Sequence, residues 1–357
     1  MTTDTVSRPA PAPSTRPSTP PSTASGSDFA GLSRRVARAG LMDSRPGYYV
    51  ARTGVIAGLF VGGWAVFVAL GDSWLQIPVA AFLAIVFAQV ALVAHDLAHR
   101  QVFRRRRPTE VAGWIAGNLG IGMSYGWWTD KHTRHHANPN HEDLDPDVAP
   151  HVLAWTADQA RTSRGLRRLV GRWQAYLFFP LLLLEGINMH VSSARALFRP
   201  SLKHRGLEAT LLVAHVAGYL AALLLVLLPG KALAFLAVHQ GLLGVYLGCA
   251  FAPNHKGMPT LTGGDRPDFL RRQVLTSRNV RGGRLVDIAL GGLNYQIEHH
   301  LFPSMPTPNL RRARPIVRAY CAQLDVPYYE TGLVSSYAQA LRHLHRAGTP
   351  LRSRTAR

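Results

Sequence analysis

Two long stretches almost free of positive charge govern what this chain can fold into. No Lys or Arg lies between Arg52 and Arg100, and only Lys231 lies between Arg205 and Lys256. Each stretch is apolar and is interrupted once, by Gly71-Asp72-Ser73 and by Pro229-Gly230-Lys231. A helix needs about 20 apolar residues to cross a bilayer core, so each stretch reads as two spans joined by a tight turn. The spacing predicts spans over 55–70 and 74–94, then over 207–228 and 232–252. The expected fold class is therefore an all-α integral membrane protein: two transmembrane helical hairpins, four spans, with a helical cap on the cytoplasmic side. Two further apolar runs, 111–123 and 176–184, are too short to cross comfortably and fit interfacial or re-entrant helices. A six-span arrangement is the alternative.

Charge narrows the partners. The 357 residues carry 40 Lys and Arg against 20 Asp and Glu, a formal net charge of +20. Such a balance first brings nucleic acid to mind. Here the basic residues flank hydrophobic spans, so anionic membrane lipids fit better and nucleic acid is not expected. An acidic electron donor or a phosphate-bearing acyl carrier would be attracted by the same face. The two hairpin turns hold one basic residue and the other segments hold the rest. The positive-inside rule then puts both termini and both large polar segments in the cytoplasm, beneath the cell membrane in a bacterium. Cys249 and Cys321 are far apart and form no C-x-x-C, so no rubredoxin, ferredoxin or zinc-ribbon signal exists. Both read as free thiols in a reducing compartment. Residues 1–27 are Pro, Ser, Thr and Ala and read as a disordered tail without the apolar run of a signal peptide. Residues 28–345 read as one domain, with arginine-bearing 28–49 along the membrane face and 346–357 as a solvated basic tail.

Seven of the sixteen histidines sit in three short boxes. His95 and His99 stand in HDLAH, His132, His135 and His136 in HTRHH, and His299 and His300 in QIEHH. On a helix, positions i, i+3 and i+4 share one face. Imidazole is the commonest neutral metal ligand, and three on one face exceed what core packing asks for. The topology drawn from hydropathy alone brings every box to the same membrane face, and His255 follows the fourth span directly. A mononuclear zinc site takes three or four protein ligands. Seven or eight imidazoles suit two ions. HDLAH is not a zincin box, because Asp96 stands where that chemistry needs a glutamate base.

The three boxes in this order around two hairpins, with WWTDKHTRHH followed by NPNHEDLDPD, resemble the membrane-bound fatty acid desaturases. The Gln296 form of the third box resembles the branch containing linoleoyl-CoA and front-end desaturases. The resemblance covers about residues 40–345. It implies a non-haem site of two iron ions that activates O2 and removes two hydrogens from an acyl chain, leaving a cis double bond. By position in the motifs, it implies His95, His99, His132, His135, His136, His299 and His300 as ligands. His255, in PNHKG, matches an additional histidine of the family. The Asn that related acyl-CoA desaturases place four residues earlier is Phe251 here, with Asn254 nearby at a different spacing. Gln296 and Asn254 become candidate weak ligands, and Asp96, Asp130, Asp143, Asp145 and Glu298 candidates to accept the far N–H of a bound imidazole. Trp127 and Trp128 are candidate walls of a substrate channel, or plain interfacial anchors.

The substrate implied is an acyl-CoA or acyl-lipid. Each turnover needs two electrons, yet the chain has neither G-x-G-x-x-G nor the His-Pro-Gly-Gly of a cytochrome b5 domain. A separate donor is expected: an NAD(P)H-dependent reductase, a ferredoxin-type or a cytochrome b5-type protein. Two other readings keep part of this picture. One is a lipid, alkane or carotenoid hydroxylase or ketolase on the same fold; the other is a membrane zinc hydrolase or metal transporter. A transporter places its ligands near the bilayer midplane, whereas these boxes gather at one face. His215 and His239, inside spans, read as hydrogen-bonded packing.

Overall fold

The computed structural model describes residues 27–352. Of the expected N-terminal tail only Ser27 falls within them, and its hydroxyl caps the first helix by accepting from Ala30 N. That helix, α1 (Asp28–Arg38), was expected along the membrane face. Its Leu32 and Val36 are fully buried with Val317, Tyr320 and Cys321, so α1 is held by the C-terminal half of the chain.

Helices α2 (Pro46–Leu70) and α3 (Gln76–Ala98) form the first hairpin. Proline at the first helical position loses no hydrogen bond, and Gly71 leaves α2 with φ +55°. The Gln76 amide donates to the carbonyls of Phe67 (2.6 Å) and Gly71 (2.9 Å), satisfying α2's open C-terminal end. Next come α4 (Arg106–Gly113), a π-helix (Trp114–Gly120), α5 (Tyr125–Ala137), α6 (Ala157–Thr162), α7 (Gly165–Leu182) and α8 (Glu185–Ala196). The run 111–123 thus becomes the π-helix and its flanks. The run 176–184 lies mostly in α7, which meets α8 at 84°. Neither run is a straight span.

The second hairpin is α9 (Arg205–Val226) and α10 (Pro229–His255). Its turn is two residues earlier than the sequence implied, because Pro229 opens α10 rather than sitting in the link. The two turns are tied together: Asp72 accepts from Leu228 N (2.9 Å) and Lys231 Nζ (2.6 Å). Among the described residues, four helices are therefore long and apolar enough to cross a membrane. Helix α3 packs against α2 and α10 and is the inner span, with 61% of its apolar window buried against 17% for α2 and α9. Phe67, Leu83, Tyr219, Leu223 and Phe235 fill the bundle near the turns.

The remaining elements build the cap: α11 (Phe269–Leu275), β1 (Asn279–Arg281), α12 (Arg284–Ala289), α13 (Gln296–Leu301), α14 (Thr307–Gln323), β2 (Glu330–Gly332), α15 (Leu333–Ala347) and α16 (Thr349–Arg352). Strands β1 and β2 pair in parallel, Asn279 opposite Glu330. Residues 346–352, expected to begin a solvated tail, finish α15 and form α16, where Leu351 packs on Ala154 and Ala160. Cys249 and Cys321 are unpaired, as expected.

Candidate metal centre

Four helix segments from distant parts of the chain deliver the histidines to one place. The last turn of α3 supplies His95 and, at its C-cap, His99; α5 supplies His132, His135 and His136. The end of α10 supplies His255, and α13 supplies His299 and His300. All eight converge, in two sets. Donor atoms of His95, His99, His132, His136 and His299 lie within 4.8 Å of one another, and so do those of His135, His255 and His300. The sets abut, because the His136 and His300 rings stack at 4.2 Å between centroids.

The hydrogen bonds around the smaller set leave its inward nitrogens facing a place for a cation. His255 Nδ1 faces the Thr276 carbonyl at 3.0 Å, which can only accept, so its proton sits there. The Gln273 amide donates from Nε2 to the His136 carbonyl (3.0 Å), which turns its oxygen toward His300 Nδ1 (3.0 Å). Both protons are therefore committed outward, and the lone pairs of His255 Nε2 and His300 Nε2 meet at 3.0 Å. Two acceptors at that distance repel unless a positive centre lies between them. Two nitrogens bound at about 2.1 Å and roughly a right angle would stand about 3 Å apart. In the five-histidine set His132 Nε2 is 2.8 Å from His99 Nε2 and 3.0 Å from His136 Nε2. His95 Nε2, His136 Nδ1 and both nitrogens of His299 are buried without any partner. The donor set fits metal.

Burial, helped by neighbouring imidazoles, holds His99, His132, His136, His299 and His300 well below the usual histidine range. They are neutral near pH 7, the form that binds metal. His135 goes the other way. Burial opposes its protonation, but the Asp145 and Asp147 carboxylates outweigh that and raise it. Asp145 Oδ2 accepts from His135 Nδ1 at 2.9 Å, with Asp147 at 3.5 Å. All three imidazoles of the smaller set thus have Nδ1 anchored by an oxygen and Nε2 turned inward, the arrangement that fixes tautomer and ring angle.

Other expected residues divide. Asp96 is buried beside His95, Oδ1 to Nδ1 at 3.4 Å, while its Oδ2 takes Arg52 Nη1 (2.7 Å) and Thr307 Oγ1 (3.0 Å). Gln296 Nε2 lies 2.9 Å from His255 Nε2, and Asn254 Nδ2 lies 3.3 Å from Gln296 Oε1, so both border the smaller set. Asp130 does not reach a box histidine; it pairs with Arg134 at 3.3 Å on the outer face of α5. Two residues from His132, it points away, because i and i+2 on a helix do not face each other. Asp143 also stays out, with its backbone N–H directed at His141 Nδ1. Glu298 directs its carboxyl to Asn279 Nδ2 and Tyr328 Oη, each at 2.7 Å, and not to a histidine of either set; burial pushes it up to about 7.

Trp127 and Trp128 are buried, not interfacial, in a cluster with Phe87, Met123, Leu243 and Leu247. Trp128 stacks on His132 at 4.5 Å and lies 5.6 Å from His95. His239 and His215 are hydrogen-bonded, Nδ1 of each facing Tyr219 Oη (3.0 Å) and the Leu119 carbonyl (2.8 Å). Sequence reasoning missed Gln273, Thr276, Asp147 and Arg52. Only Asp147, two residues beyond Asp145, carried a local signal.

Comparison with known proteins agrees with this geometry. A family model described as fatty acid desaturase matches residues 72–332, a range that contains all eight histidines. The chain is 31% identical over 330 residues to an acyl-lipid (9-3)-desaturase of Physcomitrium patens, covering 89% of this chain and 62% of that one. It is 31% identical over 335 residues to fatty acid desaturase 3 of Bos taurus (90% and 73%). It is 29% identical over 319 residues to the Delta(5) fatty acid desaturase fat-4 of Caenorhabditis elegans (84% and 69%). The chain spans less than two thirds of the moss protein's length.

Proposed function

Because the chain belongs to the fatty acid desaturase family, we propose that it is a di-iron acyl desaturase that uses O2 to place a cis double bond in a CoA- or lipid-borne acyl chain. The observation that carries this reading is the pair of adjoining imidazole sets, five and three, with the lone pairs of His255 Nε2 and His300 Nε2 turned toward each other in the smaller one. Iron bound there supplies the O2-derived oxidant that taking hydrogen from a methylene requires, which redox-inert zinc cannot supply.

The chain's own residues do the rest. His95, His99, His132, His136 and His299 would hold one ion, and His135, His255 and His300 the other, with Gln296 at its edge. Asp145, Gln273 and Thr276 keep the Nδ1 protons of the second group directed outward. Trp128 covers His132 and, with Trp127 and Met123, keeps water from the bundle side. Farther into the spans, a cavity of about 280 Å³ lined by Phe60, Trp64, Phe87, Leu119, His215 and Tyr219 offers apolar surface to acyl chains or lipid. Two electrons per turnover come from a separate donor, for which the basic cap is the dock. The test is mass-spectrometric fatty acid analysis, with double bonds located, in cells expressing this chain and a compatible reductase. A new unsaturated chain is expected; a hydroxylated product in its place would contradict desaturation.

The site and both ends of the folded chain are assigned to the cytoplasm. Supporting this, Lys231 in the first turn of α10 is the single basic residue near the two linked turns, while the other Lys and Arg lie before Thr53, within residues 100–205 or after His255. A cysteine placed at Ser73 should react with an impermeant thiol reagent added outside intact cells. Reaction only after permeabilisation would reverse the orientation.

A further inference from the structure

We propose that Glu208 is a positioning residue for the metal centre: from the first turn of α9 its carboxylate fixes the depth and rotation of α5. This rests on reading His132, His135 and His136 of that helix as ligands. Glu208 is 1% exposed and, among the described residues, has no ion-pair partner. Its oxygens are instead held by three donors from the π-helix and the start of α5. Oε2 accepts from Asn118 Nδ2 (3.1 Å) and Ser124 Oγ, and Oε1 accepts from Gly126 N (3.0 Å).

The N-terminal amides of α5 show what this accomplishes. The first N–H groups of a helix have no partner within it. Here Tyr125 N donates to Asn118 Oδ1 (3.1 Å), Gly126 N to Glu208, and Trp127 N to Ser124 Oγ (3.2 Å). Ser124 N is bound in turn by Ser193 Oγ of α8 (2.9 Å). One carboxylate therefore links the third span, the π-helix and the helix that carries the central box. It also places negative charge at the positive end of the α5 dipole. The approach is close: a Cβ on Gly126 would lie 2.4 Å from Glu208 Oε1, so glycine is what admits the carboxylate. At 1.5 Å per residue, His132 to His136 lie about 9–15 Å along α5 from this clamp. A helix fixed at that end delivers three imidazoles in one register; a helix free to slide or turn does not. Glu208 touches no histidine of either set. It acts through α5.

The variant Glu208→Gln keeps the shape but replaces one acceptor oxygen by an NH2 group, so the three donors can no longer all be satisfied. Wild type and variant are produced in iron-depleted, cobalt-supplemented medium and purified. Three quantities are measured: monodispersity with far-UV circular dichroism, the visible d–d absorption of bound Co²⁺, and the rate of Co²⁺ loss to a chelator. The expected result is a monodisperse variant of unchanged helicity, an altered Co²⁺ spectrum and metal loss roughly 10–100-fold faster. Should Glu208→Gln not give monodisperse protein, Ser124→Ala, which removes one donor and the cap of α5, is judged by the same spectrum and release rate. Wild-type-like values in the folded variant would overturn the positioning role. A wild-type protein that takes up no cobalt would overturn the metal reading beneath it, so the two failures are separate.

Discussion

Replacing His135 by alanine should abolish the proposed desaturation, by at least about 100-fold, while the protein still inserts and stays folded. The reason is where His135 stands. It is one of three imidazoles in the smaller set, and the carboxylates of Asp145 and Asp147 both face its Nδ1. Without it His255 and His300 remain, with Gln296 beside them, too few for a stable site. The five-histidine set contains no atom of His135 and keeps its geometry. The expected signature is therefore asymmetric: product vanishes and about half of the bound metal is lost. Membrane extraction and circular dichroism check that the fold is kept, and fatty acid analysis reads the loss. Near-normal product from the variant would contradict the two-set assignment.

The second large effect belongs to Asp96, and it is one of stability as well as activity. Asp96 and Arg52 form an ion pair at 2.7 Å between α3 and α2, with side chains 2% and 11% exposed. Removing one partner of a buried pair typically destabilises by about 3–5 kcal/mol, because the other charge is left unpaired. That is a large share of the 5–15 kcal/mol by which a folded domain is usually stable. Asp96→Ala should accordingly lower the midpoint of thermal unfolding in detergent and reduce the yield of folded protein. The double variant Arg52→Leu with Asp96→Leu removes both charges and should recover most of that stability. It should not recover activity, since His95 has lost the Asp96 carboxylate that faces its Nδ1. An unfolding midpoint unchanged in Asp96→Ala would show that the pair contributes nothing.

Much of this arrangement was legible in the residue pattern. Apolar stretches almost free of Lys and Arg located the four spans, and helical spacing put the histidines of each box on a common face. What spacing could not give was how the boxes divide. His135 and His136 are neighbours, yet one turns to His255 and His300 and the other to the larger set, because adjacent helical positions diverge by about 100°. The same geometry removed Asp130 and turned Glu298 toward Tyr328, so proximity in sequence misled there. Gln273 and Glu208 lay beyond local reasoning altogether. Gln273 meets His300 across 27 residues and Glu208 meets Ser124 across 84, contacts that exist only once α11 and α9 have packed. Pattern identifies the ligands; tertiary structure identifies what aims them.

The most direct test of the account is the metal content of the purified wild-type protein, measured by mass spectrometry after growth with both iron and zinc supplied. The two imidazole sets predict two metal ions per chain, and the oxidative reaction proposed requires them to be iron and not redox-inert zinc. One metal per chain, or zinc in place of iron, would contradict the claim that these eight histidines build a paired iron centre.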